Sequence, residues 1–197
     1  MLRVENIYDP EDASWFELIR PLLAGELDHH ARLDAPGPEM FGKRYDAKLD
    51  YTEEWPLSST AFAVFAAFDG ENPEPVGFIS AITNAHCVYV FFLAIDAKYR
   101  GQGYGTQAID SLFRFFSDKQ VVLDIEELDP SAENYAQRVR RKSFYLRCGF
   151  HETGRYTMFN GKRFEVLCNG GPLDTEGFLD VVLLIHELMP VYPGILL

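Results

Sequence analysis

The stretch that decides the fold runs Tyr89-Val-Phe-Phe-Leu-Ala-Ile-Asp96, Ala97-Lys-Tyr-Arg100, Gly101-Gln-Gly-Tyr-Gly-Thr106. An apolar strand feeds a glycine-rich turn, and that turn opens a helix. Such a turn offers several backbone N–H groups that have no acceptor inside the helix, and the helix dipole adds partial positive charge at the same place. Gly101, Gly103 and Gly105 let the backbone approach a bulky anion without a Cβ in the way. Arg100 puts a full positive charge beside it. Together these features describe a diphosphate seat. A plain tight turn capping a helix is the simpler reading of the same glycines.

Two familiar cradles fit poorly. A P-loop needs Gly-Lys-Ser/Thr after its last glycine, and here Gly105 is followed by Thr106-Gln107. The dinucleotide fingerprint wants a glycine five residues after the first; from Gly101 that position is Thr106.

Working outward, three strand-like runs are read at Thr60 to Phe68, Pro75 to Thr83 and Cys87 to Ile95, joined by short loops as an antiparallel meander. After Gly105 the period changes. Ile109, Leu112, Phe113 and Phe116 recur at helical spacing. A strand at Val121 to Leu128 follows, then a helix from Pro130 to Cys148 closed by Gly149. Two further strands, Tyr156 to Phe159 and Phe164 to Leu167, flank the turn Asn160-Gly161. The apolar run at Val181 to Leu188 reads as a helix starting near Phe178. Trp15, Phe16, Leu18, Ile19, Leu22 and Leu23 predict a first helix over Asp12 to Leu27, despite Pro21. Residues 28–54 are polar and rich in Pro and Gly, which suits a substrate-side lid. The fold class expected is α+β shading to α/β: one domain over residues 1–197, with a mixed, mostly antiparallel sheet flanked by helices.

Composition narrows the function. The chain has 197 residues, 47% hydrophobic and 14% aromatic, enough for a packed core. Its 30 acids against 18 bases give a net charge of −12, which repels phosphate backbones and argues against a nucleic-acid partner. Three scattered cysteines, Cys87, Cys148 and Cys168, show no metal-ligand spacing, so no metal is expected and a reducing, cytoplasmic compartment is. No apolar run is long enough to span a membrane, and the N-terminus has no signal-like apolar core. His29 and His30 read as solvated loop residues. Val191 to Leu197 could form a homodimer contact or a tail packed on the core.

The pattern Arg100-x-x-Gly103-x-Gly105 resembles the acyl-CoA signature of the GNAT N-acetyltransferase superfamily. A second stretch, Phe144-Tyr145-Leu-Arg-Cys-Gly149-Phe150, lies where that family carries its other signature, one strand and one helix later. The resemblance runs from about Thr60 to Phe150. It implies acetyl-CoA as co-substrate, its diphosphate on Arg100, Gly101, Gln102, Gly103, Tyr104, Gly105 and Thr106. It implies a sheet splayed between the strand carrying Leu93, Ala94 and Ile95 and the strand Val121 to Leu128, with the pantetheine arm against the former. An N–H of Leu93 or Ala94 then polarises the thioester carbonyl. Tyr145 becomes the acid that protonates the departing thiolate; by itself it also reads as a core aromatic.

The base is open. Asp124 and Glu126 share one face of their strand, and Glu127 lies next to them. Tyr89 stands where other members carry a glutamate. Many members have an asparagine seven residues before the tyrosine; here that position is Arg138. Arg138 and Arg141 share a helical stripe with Tyr145, which suits coenzyme phosphates, an acidic neighbour such as Glu126 or Asp124, or an ordinary charged face. The expected function is acetyl transfer from acetyl-CoA to a small-molecule or peptide amine. Asp28, Asp34, Glu39, Glu53 and Glu54 favour a cationic acceptor. A non-catalytic acyl-CoA-binding or regulatory domain is the alternative, and a bare nucleotide-binding module a third.

Overall fold

The computed structural model describes residues 2–7, 14, 17–22, 61–159, 161–188 and 195–196. The expected lid, His29 and His30, and residues 191–194 and 197 of the apolar tail lie outside them. The chain divides into two compact units, Met1–Thr83 with Phe91–Phe115, and Asn84–Val90 with Phe116–Leu197. The division falls inside one strand, between Val90 and Phe91, where sequence shows no linker.

In the first unit the strand order is β1 (Leu2–Asn6), β2 (Ala61–Asp69), β3 (Pro75–Thr83) and β4 (Cys87–Ile95). β1 runs antiparallel to β2, Leu2 opposite Asp69 and Asn6 opposite Phe65. β2 runs antiparallel to β3, with a register shift at Ala67/Phe68. β3 is buried on both faces from Val76 to Thr83, which explains its unbroken apolar run. The expected boundaries of β3 and β4 match those observed. β1 was not expected. Residues 17–22 (α1) are helical, with Ile19 and Leu22 buried and Pro21 tolerated on the exposed side. Helix α2 (Tyr104–Phe115) buries Ala108, Ile109 and Leu112, a stripe at helical spacing.

In the second unit the order is β4, β5 (Gln120–Glu126), β7 (Lys162–Asn169), β6 (Phe150–Phe159) and β8 (Ile195–Leu196). β5 pairs parallel to β4 over Cys87–Val90 opposite Gln120–Leu123, and the ladder stops there. On its other edge β5 runs antiparallel to β7 as far as Glu126 opposite Phe164. β6 is irregular between Glu152 and Tyr156, where it pairs with β7. Ile195 and Leu196 add an edge strand to Thr157 and Tyr156 within the same chain.

Helix α3 spans Tyr135–Arg147, five residues shorter at its start than the sequence suggested. Asp129 accepts bonds from the Ser131 N–H and hydroxyl, a side-chain turn that competes with helix at this point. Helix α4 (Thr175–Leu188) buries Phe178, Val181 and Ile185, and its first turn is capped by Asp174, whose carboxylate accepts from the Gly177 N–H at 3.1 Å.

Candidate active site

In the first unit, β4 ends at Ile95 and the chain makes a single 3₁₀ turn over Ala97–Tyr99, opened by the Asp96 carboxylate accepting the Lys98 N–H. Arg100 is extended and exposed, and its Nε donates to the Ile95 carbonyl at 2.9 Å. That bond fixes the root of the guanidinium beside the strand end. Gly101 and Gly103 both take left-handed backbone, φ +79° and +83°, which side-chain-bearing residues adopt only at a cost. A Cβ built on Gly101 would meet nothing within 4 Å, so the loop faces open space there. The first helical bond of α2 runs from the Gln107 N–H to the Gly103 carbonyl. The N–H groups of the turn before it have no acceptor within the helix, and no acidic side chain sits in that turn. Gln102 folds back onto the Lys98 carbonyl. The Tyr104 hydroxyl donates to Asp69, which raises the tyrosine pKa and ties the start of α2 to the end of β2. Arg100 through Thr106 thus form one open, locally positive loop. Before it on β4, Ala94 is buried and Leu93 and Ile95 are half-buried.

In the second unit, Asp124 and Glu126 share a face of β5 but have unlike surroundings. Asp124 accepts hydrogen bonds from the hydroxyls of Thr157 on β6 and Tyr89 on β4. Burial of its carboxyl outweighs these bonds and lifts the pKa above the usual carboxylate range. Glu126 meets charge instead. Its Oε1 lies 3.0 Å from Arg138 Nη2, and its Oε2 accepts from Asn134 Nδ2 at 3.2 Å. The two side chains of the ion pair are only 11% and 12% exposed, so this is an enclosed pair, not a surface one.

Arg138 donates besides from Nη1 to the Glu127 carbonyl and from Nε to Asn134 Oδ1, each at 2.8 Å. Both edges of its guanidinium are engaged, and one of the partners, Glu126, is an acidic neighbour of the kind foreseen. Arg138 clamps the end of β5 to the start of α3. Arg141 is half-buried on α3. Tyr145 is buried, its ring 5.1 Å from Phe144 and 5.6 Å from Phe150. Glu127 pairs with Arg163 at 3.4 Å near the surface.

Sequence reasoning missed three partners here. Thr157 and Tyr89 gave no sign of reaching Asp124, because they come from strands remote in the chain. Lys142, on α3, is drawn inward between Glu165, at 2.7 Å, and Glu152. Burial alone would lower the lysine pKa, but hydrogen bonds to the two carboxylates carry it upward. These three side chains line a cavity of about 370 Å³ with Glu127, Tyr156 and Gly154. Among the described residues no three His, Cys, Asp or Glu side chains converge to hold a metal, and no helix is long and apolar enough to cross a membrane.

The family model for the acetyltransferase (GNAT) family matches residues 28–150, more than half of the chain. The chain belongs to the GNAT acetyltransferase family. Solved GNAT structures share its fold. A GNAT-family protein from Bacteroides thetaiotaomicron superimposes with a TM-score of 0.59 at 22% identity, over 98% of this chain and 99% of the other. The ribosomal-protein-S18-alanine N-acetyltransferase from Escherichia coli gives 0.53 at 15% identity, over 89% and 97%. A GNAT acetyltransferase from Elizabethkingia anophelis with acetyl-CoA bound gives 0.53 at 14%, over 86% and 98%. Among curated proteins none matches the chain. The GNAT assignment bears out the resemblance read from the two sequence signatures, and the mixed, mostly antiparallel sheet flanked by helices is the fold they implied.

Proposed function

We propose that this GNAT protein transfers an acetyl group from acetyl-CoA to an amine by direct attack. The observation that carries the proposal is the Arg100–Thr106 loop: two left-handed glycines, open space beyond Gly101, a helix start without an acid, and an anchored arginine. A diphosphate is the ligand this chemistry fits. The first unit supplies the seat for the coenzyme, with the β4 backbone at Leu93–Ile95 for the pantetheine arm and an N–H of Leu93 or Ala94 to polarise the carbonyl.

The reaction balances as follows. The acceptor enters as an ammonium and gives one proton to Asp124. Its nitrogen attacks the thioester carbon, the N–C bond forms, and the C–S bond breaks. Tyr145 donates a proton to the departing thiolate, and the acylated nitrogen passes its remaining extra proton to the tyrosine oxygen, so CoA thiol and a neutral amide leave. Asp124 is preferred over Glu126 as base because its side-chain partners are neutral hydroxyls, whereas both oxygens of Glu126 are occupied, by the Arg138 guanidinium and by Asn134. The acid surplus of the chain favours a cationic acceptor, a small-molecule or peptide amine. Three buried cysteines, none of them in a disulfide, suit a reducing, cytoplasmic setting.

Release of CoA thiol from acetyl-CoA, followed across a panel of a polyamine, an aminoglycoside and a peptide with a free N-terminus, tests this. Acceleration by at least one acceptor, with Tyr145→Phe slowed about a hundredfold, is expected. No acceleration by any acceptor contradicts the transferase reading, and an unimpaired Tyr145→Phe removes the tyrosine from it.

A further inference from the structure

Asp124 is held from both sides of its strand. Tyr89 reaches it from β4, and Thr157 reaches it from β6, across the intervening β7. The second contact is unusual. Strands lie about 4.8 Å apart, so residues two strands away in a flat sheet are about 10 Å apart, beyond the reach of a threonine and an aspartate. The irregular stretch of β6 between Glu152 and Tyr156 accounts for it. Three residues there, Thr153 to Arg155, fit against a single β7 position, and Thr153 Oγ1 donates to the Val166 carbonyl. Irregularities of this kind increase local twist and re-aim the residues that follow, of which Thr157 is the second.

Both donors are themselves fixed. Tyr89 is 2% exposed with its ring 6.2 Å from Phe178 of α4, and Thr157 is 8% exposed. The two hydroxyls and the backbone N–H of Asp124 itself occupy three of about four acceptor sites on the carboxylate, which leaves capacity for one further donor such as an incoming ammonium. Neither donor carries charge, so neither neutralises the carboxylate. The register places Cys168 with Val122, and Glu126, on the same face of the sheet; Glu126 is tied to Arg138, and burial pushes the Cys168 thiol up to about 11, so it stays neutral.

We infer that Tyr89 and Thr157 are positioning residues that hold the Asp124 carboxyl in place as the proton acceptor for the substrate amine. The inference rests on the reading of Asp124 as base given above. Loss of either hydroxyl removes a bond that favours the ionised form, so the Asp124 pKa rises further and the carboxyl gains freedom to turn.

The test uses the full chain labelled with carbon-13 at aspartate side chains. The Asp124 signal is the one absent from Asp124→Asn. Its titration midpoint is expected above the ordinary aspartate value in the unaltered protein and higher again in Thr157→Val and Tyr89→Phe, with Thr157→Ser restoring it. In the same proteins kcat/KM for the fastest acceptor of the panel is expected to fall about tenfold in Thr157→Val and Tyr89→Phe, the acid limb of its pH profile moving up with the midpoint, while acetyl-CoA affinity is unchanged. If Asp124→Asn keeps full activity, or no acceptor turns over, the base reading falls and this inference with it. If Asp124→Asn is inactive but Thr157→Val and Tyr89→Phe keep both the midpoint and the profile of the unaltered protein, the inference alone is overturned.

Discussion

At Asp124, chemistry and stability pull in opposite directions. A buried carboxyl with a raised pKa keeps its proton in the folded state at pH values where the unfolded chain releases it. Stability is therefore highest near and below the ordinary value of 3.8, falls as pH rises through the window between that value and the folded one, and stays reduced above it. Asparagine keeps an oxygen to accept from Thr157 or Tyr89 and carries no charge to desolvate. Asp124→Asn is expected to melt a few degrees higher than the unaltered protein at pH 7.5, with the gap closing by pH 4, while acetyl transfer is lost. Thermal melts at the two pH values check this; a variant that melts lower at pH 7.5 contradicts the account of the site. Glu126 behaves differently because its neighbour is Arg138. Both its carboxylate oxygens are already bonded, to Arg138 and to Asn134.

Among the elements, β4 and the loop it feeds matter most. Strand β3 approaches β4 closely at Gly77, where a Cβ would lie 2.5 Å from the Ala94 carbonyl oxygen and 2.5 Å from Ile95 Cδ1. The isoleucine can turn away, but the carbonyl belongs to backbone. Gly77→Ala must therefore move β4 at the residues assigned to the pantetheine arm. A destabilisation of about 2 kcal/mol is expected, together with weaker acetyl-CoA binding. Denaturant unfolding and calorimetric titration check the two effects, and unchanged affinity would detach β4 from coenzyme binding. β3 was legible in the sequence because both its faces are buried, and β4 because its apolar run is unbroken. β1 was hidden by its polarity, although Leu2 and Val4 alternate with exposed Arg3 and Glu5 in the two-residue period of an edge strand. The first half of β6, Phe150 to Arg155, was missed because its irregularity breaks that period. The loop could be read because it is continuous in sequence, and its chemistry follows from local backbone geometry. The seat of Asp124 could not, since it exists only once β4, β5 and β6 are brought together. Arg138 was legible as a charge beside acids, but its bonds to Glu126 and Asn134 exist only once β5 and the start of α3 are brought together.

Across the whole molecule, a net charge of −12 opposes the approach of a polyanionic coenzyme. The Arg100–Thr106 loop has to overcome that field locally, which makes it the point on which the account stands. Calorimetric titration of acetyl-CoA into the unaltered protein, Arg100→Ala and Gly103→Glu measures this directly, with acetyl-pantetheine, which lacks the diphosphate, as the second ligand. The account predicts that Arg100→Ala weakens acetyl-CoA binding by about tenfold or more and Gly103→Glu by about a hundredfold or more, both proteins melting cooperatively, while all three bind acetyl-pantetheine with the same low affinity. Acetyl-CoA affinities that are equal in the three proteins would contradict it.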